Sequence, residues 1–355
     1  MCDTLCVRHA AGMWFAKNSD RHPDEAQVVE WHPRRSAGRE LHTQYLTLPD
    51  RDACAFVASR PVWLWGVEHG VNEHGVAAGN QKIWTTQNPR QLPRALLGMD
   101  VVRIVLERAT SADDALEIST ALIETYGQGG SGEPHENEPY FSSFLFADAR
   151  AGWVLETSDR TWAARPADDG TSISNRVSLG TDWTRASADI APGTDFDQYR
   201  LPHLSTSIAD HRRAVTAACV ANGPRTTFAD ITSTLRSHSD DGAGFTVCMH
   251  RRDMHSQTTA SMITNIPDDG SAANIWACLG NPCVGVYVPV TADRIPAELA
   301  DERQWARFAM LRDRVEGGAE TLERVREELD PVEAALTATS ETYEIVHEAL
   351  NRLGV

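Results

Sequence analysis

Two short apolar-rich runs, CDTLCV at residues 2–7 and MWFAK at 13–17, flank a turn at 10–12, so the chain opens as a β-hairpin. Chain ends are poorly ordered unless a sheet or a docking helix ties them down. Centring the turn on Ala10 and Ala11 pairs residues whose numbers sum to about 21 or 22. That register sets Asp20 beside Cys2 and Lys17 within one or two residues of it along the ladder.

Cys2 is chemically unusual because initiator methionine is normally removed when the next side chain is small. The cysteine then carries a thiol and a free α-amine on one residue. Their unperturbed pKa values are about 8.5 and about 7.7 to 8.0, so the residue is a nucleophile with its own base. Cys6 can never become terminal. An aspartate at position 20 suits an α-ammonium, and an ammonium at position 17 favours thiolate. The chain contains 33 basic residues, of which only Lys17 and Lys82 are lysine. A compact point charge, not a planar fork, is thus placed beside the candidate nucleophile.

The remainder reads as an α+β chain. Strands are expected at 53–59, 75–80, 144–147, 153–157, 162–165 and 171–175, with turns at DARAG and ADDG. Helices are expected at 98–109, at 111–126 between the SADD cap and the GQGG run, at 212–221 and at 227–238. The GGSGEPHENEP stretch at 129–139 reads as a loop. From Pro296 the sequence turns charged and helical in period. Gly317 and Gly318 break it, and Asp330, Pro331 and Glu333 form the start signal of a last helix ending near Gly354. These amphipathic helices are expected to cover the main domain or to form a subunit interface.

With 33 Lys and Arg against 50 Asp and Glu the formal charge is −17, which argues against sequence-independent binding to nucleic acid or anionic lipid. No run approaches the roughly 18 apolar residues of a membrane helix, and the N-terminus lacks the pattern of a signal peptide. A cytoplasmic location is expected. The seven cysteines form no CxxC pair and no disulfide framework. The spaced pairs His69 and His74, His250 and His255, and His135 with Glu136 lack the HExxH or Cys/His geometry of a zinc site, so neither metal nor other cofactor is expected. GxSxG, P-loop and dinucleotide fingerprints are absent from the sequence.

Several motifs together carry a family resemblance. Met1-Cys2-Asp3-Thr4, then AKNSDR at 16–21, then SRPVWLWGVEHGVNEHGVAAGNQ at 59–81 resemble the secernin family. Secernins are relatives of the C69-type cysteine dipeptidases within the N-terminal nucleophile hydrolases. LLGMDVVRIVLER at 96–108, ETYGQGG at 124–130, WVLET at 153–157, TTASMI at 258–263 and GNPCVGVYVPV at 280–290 resemble the same family in the same order. The resemblance implies a four-layer αββα sandwich over residues 2–290, followed by a helical extension over 291–355. It implies Cys2 as the nucleophile on an amide bond, with Lys17 as the neighbouring base and Asp20 as the contact of the terminal amine.

The same resemblance matches Asn80 to an oxyanion donor and Asn175 to a residue holding either the substrate amide or the amine of Cys2. It matches Arg213, with Arg212 as the alternative, to an arginine that neutralises Asp20 or clamps a substrate carboxylate. Arg60 and Glu68, within the 59–81 block, and Trp84 are expected to contact substrate. The expected reaction is hydrolysis of a dipeptide or small N-acyl amino compound through an acyl-thioester. Its rivals are acyl transfer from the same intermediate and a non-catalytic, secernin-like interaction protein. The extension is expected to mediate homo-oligomer formation.

Overall fold

The computed structural model of the protein describes residues 2–134, 137–239, 244–291, 295–336 and 343–355. Met1, His135 and Glu136, on which three of the expectations fall, lie outside them. Strands β1 (Cys2–His9) and β2 (Gly12–Arg21) form the opening hairpin, with Cys2 opposite Ser19, Thr4 opposite Lys17 and His9 opposite Gly12. Paired numbers sum to 21, within the expected register. Gly12 is required by close approach as well as by its φ of +145°: a Cβ there would lie 2.0 Å from the Ile266 carbonyl oxygen.

The hairpin sits inside an antiparallel sheet that runs, from one edge, Gly170–Ile173, β1, β2, Ser256–Pro267, Asn274–Leu279 and Val288–Val290. His250–Arg251 adds a short seventh strand beside Ser256–Pro267. A second antiparallel sheet has eight strands in the order Arg185–Ala186, Thr161–Pro166, Gly152–Ser158, Phe141–Ala147, Ala77–Ile83, His69–Asn72, Phe56–Pro61 and Gln27–His32.

Side-chain alternation along the strands assigns the layers. Cys6, Met13 and Phe15 share a cluster with Val57, Val71, Ala77, Leu145 and Val154 of the second sheet, so these faces meet. Leu5, Val7, Trp14 and Ala16 point the other way, onto Cys219 of α3 (Ser207–Val220) and onto Ile231 and Leu235 of α4 (Phe228–Leu235). The far face of the second sheet, with Phe56, Ala78, Phe144 and Leu155, packs on α1 (Gly98–Arg108) and α2 (Ala112–Tyr126). The order is helices, sheet, sheet, helices, the expected αββα arrangement. Because β1 and β2 are buried on both faces, they read in the sequence as continuous runs and not as alternation.

The extension supplies α5 (Glu302–Glu316), α6 (Leu322–Ala335) and α7 (Tyr343–Arg352). Trp305, Phe308, Leu329, Val332, Tyr343 and Val346 belong to the same apolar cluster as the residues between the sheets. Trp305 donates its indole N–H to the Thr259 carbonyl at 2.9 Å. The change in composition near residue 290 therefore does not coincide with a break in the core.

One helix start is misplaced by the sequence reading. Asp330 and Pro331 lie inside α6, and the last helix begins at Tyr343. Instead of capping, the Glu333 carboxylate accepts from Arg236 at 2.6 Å and from the Tyr287 backbone N–H at 2.8 Å. These bonds hold the helix through a proline that by itself costs about 3 kcal/mol in a helix interior.

Among the described residues no helix is long and apolar enough to cross a membrane. Since Leu329 is fully buried in the shared core, Leu329→Ala is expected to cost about 2 to 5 kcal/mol. Denaturant unfolding followed by tryptophan fluorescence should show the whole transition shifted to lower denaturant. An early, separate transition confined to the extension would contradict a shared core.

Candidate active site

The site lies where β1 begins and β2 ends. Cys2 is 6% exposed. Its backbone nitrogen, which becomes the α-amine on removal of Met1, donates to Asn175 Oδ1 at 2.6 Å. Its Sγ accepts the Asp20 backbone N–H at 3.4 Å. Both atoms needed for an N-terminal nucleophile are therefore fixed by the frame of the fold.

Strand alternation divides the neighbours of Cys2 into two sets. Lys17 shares a face with Cys2, two residues from its direct partner Ser19, a diagonal that a long side chain spans. Lys17 is wholly buried and donates to Ser19 Oγ at 2.7 Å and to Glu68 Oε2 at 3.1 Å. Glu68 also receives Arg21 Nη1 at 3.1 Å. Burial raises the carboxyl of Glu68, but the charges of Lys17 and Arg21 outweigh it and hold the group down at about 2. For the thiol of Cys2, burial is the dominant influence and raises its pKa, with Lys17 the strongest effect in the opposite direction. For Cys6 burial dominates, against a backbone hydrogen bond from Thr171 and a smaller pull from Arg8, and pushes the thiol up to about 12.

Asp3 and Asp20 point to the other side, into the layer of α3. There Arg212, wholly buried, forms ion pairs with Asp3 at 2.5 Å and with Asp20, and donates from Nη1 to Asn175 Oδ1 at 3.2 Å. Asp20 also accepts the Thr258 hydroxyl at 2.6 Å. A bulge between Thr258 and Ala260 in the adjoining strand aims that hydroxyl at the carboxylate. Burial pushes Asp20 up to about 6, with Arg212 pulling against it. The Asn175 amide completes the ring by donating Nδ2–H to the Lys82 carbonyl at 2.8 Å.

A cavity of about 390 Å³ lies next to this point: Asp20 and Asn175, the two residues that hold Cys2, form part of its wall, whereas Cys2 itself is not among its lining residues. Trp84, Leu204, Ile208 and Phe245 supply an apolar lining, and Lys82, Arg176 and Arg200 bring cations to it. Each of these cations has an acidic neighbour: Lys82 meets Glu138 at 2.7 Å and Arg200 meets Asp197 at 3.0 Å, while Arg176 pairs with Asp210. Lys82 Nζ also lies 5.2 Å from the Trp84 ring centre.

The structure brings Cys2, Lys17, Asp20 and Asn175 together, with Asn175 accepting from the Cys2 nitrogen and the Asp20 carboxylate on Arg212 and Thr258, and it distinguishes the two arginines of the doublet. Arg212, not Arg213, reaches Asp20; Arg213 is half-buried and donates to the Ser172 carbonyl at 3.2 Å. Successive helical residues point about 100° apart, so only one of the two can face the sheet. Asn80 faces α1, with Nδ2 at 3.3 Å from Ser142 Oγ and 3.5 Å from Met99 Sδ, and its buried Oδ1 has no partner in the described structure.

Of the expected substrate contacts, Trp84 lines the cavity. Glu68 does not: its carboxylate is consumed by Lys17 and Arg21. Arg60 is elsewhere, paired with Glu30 at 2.6 Å and bonded to the Val62 and Leu64 carbonyls. Asp3 and Thr258 are members of the site that sequence reasoning missed. Asp3 was legible from alternation, since a residue next to an inward-facing nucleophile must face the opposite layer. A second group of side chains, His238, Cys248, His250 and Cys283, comes together outside this cavity although no sequence spacing announces it.

No family model matches the chain. Among solved structures it is similar to a variant of the conjugated bile acid hydrolase from Clostridium perfringens, with 10% identity over 79% of this chain and 89% of that one and a TM-score of 0.49. It is similar also to penicillin V acylase from Agrobacterium tumefaciens, with 12% identity over 85% and 89% of the two chains and a TM-score of 0.48. The Caenorhabditis elegans ortholog of N-acylethanolamine-hydrolyzing acid amidase gives 10% identity over 77% and 98%, with a TM-score of 0.44. Likeness at this level carries no residue role and no substrate over to this chain.

Removing Arg212 leaves two buried carboxylates without their counter-ion, whereas removing Arg213 loses one partly exposed hydrogen bond. Arg212→Ala is expected to cost about 3 to 5 kcal/mol at neutral pH, and Arg213→Ala about 1 kcal/mol or less. The sign with pH follows from the raised carboxyl. Asp20 stands at about 6 in the fold against about 3.9 unfolded, and loses its main downward influence in Arg212→Ala. Its proton stabilises the fold at low pH, and that contribution disappears as pH rises through this window. Thermal denaturation at pH 5 and pH 7.5 should therefore find the Arg212→Ala deficit smaller at pH 5. Equal deficits for the two variants would contradict the assignment.

Proposed function

We propose that the protein is a cysteine amidohydrolase of the N-terminal nucleophile kind, similar to the secernins and C69-type dipeptidases, in which Cys2 becomes the nucleophile once Met1 is removed. The observation that carries this reading is the hold on Cys2 itself. One residue, Asn175, accepts its nitrogen at 2.6 Å, while the Asp20 N–H points at its sulfur at 3.4 Å beside a cavity. A hydrogen bond from the α-amine to Asn175 Oδ1 orients the amine so that its lone pair can face the thiol.

In the proposed reaction the thiol proton passes to the α-amine, and the thiolate attacks the substrate carbonyl carbon. The carbonyl oxygen becomes an oxyanion. Asn80, the residue expected to donate to it, is turned to α1 on the far face of its sheet, with its NH₂ group on Ser142 Oγ and Met99 Sδ, so it is not assigned that role. The protonated amine then gives its proton to the leaving nitrogen, the C–N bond breaks, and an acyl-thioester remains on Cys2. Water, deprotonated by the same amine, attacks the thioester and releases the acid with the thiol restored. Lys17 supplies a fixed positive charge that offsets the cost of a buried thiolate.

Trp84 with Leu204, Ile208 and Phe245 favours a substrate with an apolar side chain or acyl group, whereas Lys82, Arg176 and Arg200 are already paired with Glu138, Asp210 and Asp197. A dipeptide with an apolar residue or a small N-acyl amino compound suits that lining. Hydrolysis of a panel of such compounds, followed by release of free amine, tests the reading. Cys2→Ala should lose at least about 1,000-fold in kcat/KM, and Lys17→Met about tenfold or more as the thiolate loses its countercharge. Full turnover by Cys2→Ala would overturn the mechanism. Transfer of the acyl group to an added amine in preference to water would make the enzyme a transferase, and inertness of the correctly processed protein toward the whole panel would favour the interaction-protein alternative.

A further inference from the structure

We propose that His238, Cys248, His250 and Cys283 form a tetrahedral metal site, of a kind suited to zinc, that fixes one wall of the Cys2 cavity from outside. One ligand atom from each residue lies within 4.8 Å of all the others. His250 Nε2 is the hub, 3.4 Å from Cys248 Sγ and 3.3 Å from Cys283 Sγ. The His238 ring meets the His250 ring edge-on with centres 4.9 Å apart. In a tetrahedral Zn²⁺ site with Zn–S near 2.3 Å and Zn–N near 2.0 to 2.1 Å, neighbouring ligand atoms are about 3.3 to 3.8 Å apart. The two sulfur–nitrogen distances already have that length.

The four side chains also bond among themselves, Cys248 with Cys283 and with His238, and Asn281 Nδ2 lies 3.5 Å from His250 Nε2. Two thiols converge on one ring nitrogen, which has a single lone pair in the plane of the ring and can accept from only one of them. A cation between the four atoms satisfies all of them at once. The outer shell has the form that metal-bound histidines usually show. His250 Nδ1 is 2.7 Å from Glu316 Oε1, which also accepts from Gln257 Nε2 at 2.5 Å, so the ring is turned with Nε2 toward the sulfurs. Two thiolates and a divalent ion sum to zero charge, which suits a place where both cysteines are buried. Binding releases the two thiol protons to solvent.

The site joins parts of the fold that are distant in sequence. His238 follows α4, Cys248 and His250 precede the long Ser256–Pro267 strand, Cys283 follows Asn274–Leu279, and Glu316 ends α5. None of the four ligands lines the Cys2 cavity, but Phe245, Met254, His255 and Ser256, on the chain just before and after Cys248 and His250, do. The metal is structural here, and its effect on the cavity is through the position of that segment.

The test is the metal content of full-length protein purified under reducing conditions from zinc-supplemented cells. About one zinc per chain is expected by mass spectrometry of the elements, and a cobalt-substituted form should show thiolate-to-cobalt charge-transfer and tetrahedral d–d absorption. His238→Ala, which alters the one exposed ligand, and Cys283→Ser should both lose the metal; Cys219→Ser, a buried cysteine outside the cluster, should keep it. Glu316→Gln should weaken zinc binding about 10- to 100-fold. Metal content near zero in the folded wild type, or equal in wild type and both ligand variants, would overturn the site. So would a Cys248–Cys283 disulfide in the protein as isolated without added oxidant or reductant, seen as a loss of two hydrogens in the intact mass.

Discussion

The buried ion cluster of Arg212 with Asp3 and Asp20 is the interaction on which the arrangement of the N-terminus depends. Two carboxylates and a guanidinium have been taken fully out of water, an expensive step unless every member is paired. Asp3 and Asp20 come from the two strands of the opening hairpin, and Arg212 comes from the helix laid across them. The same guanidinium reaches Asn175 Oδ1, the acceptor of the Cys2 nitrogen. The hairpin, the helical layer and the nucleophile are thereby joined through one side chain. The first residue of an ordinary chain would fray; here the first strand is locked to within one residue of its end.

The opposite face of the hairpin carries a second buried charge system of Lys17, Glu68, Arg21 and Glu25. Alternation along two strands thus separates the charges by role. One set positions the nitrogen of Cys2, and the other sets the electrostatic environment of its sulfur. The rarity of lysine is informative in this light. One of the chain's two lysines is the buried cation on the face of the sulfur, and the other lies at the cavity against Trp84 and Glu138.

Much of this was legible in the sequence because it is local. The hairpin register follows from one turn, and it brought Asp20 and Lys17 to Cys2 before any tertiary information. The SADD cap and GQGG stop delimit α2, since caps are chemical signals carried by a few adjacent residues. What was not legible depends on direction or on distance. Arg212 and Arg213 differ only in which way a helix is turned. Glu68 and Arg60 are charged residues beside a motif, and only the pairing of strands reveals that one is spent on Lys17 and the other on Glu30. Pro331 after Asp330 is a sound helix start that tertiary bonds to Glu333 override. The Cys and His cluster draws on three segments whose spacing matches no zinc motif, so periodicity and motif reading pass over it.

The central claim is that Cys2, freed of Met1, carries the acyl group. Its most direct measurement is mass spectrometry of the protein quenched during turnover of a hydrolysed dipeptide or N-acyl amino acid, with the modified peptide sequenced. The account predicts an N-terminal peptide that begins at Cys2 and carries the acyl mass on that sulfur. Active protein that retains Met1, or an acyl group found on any other residue while Cys2 stays free, would contradict it.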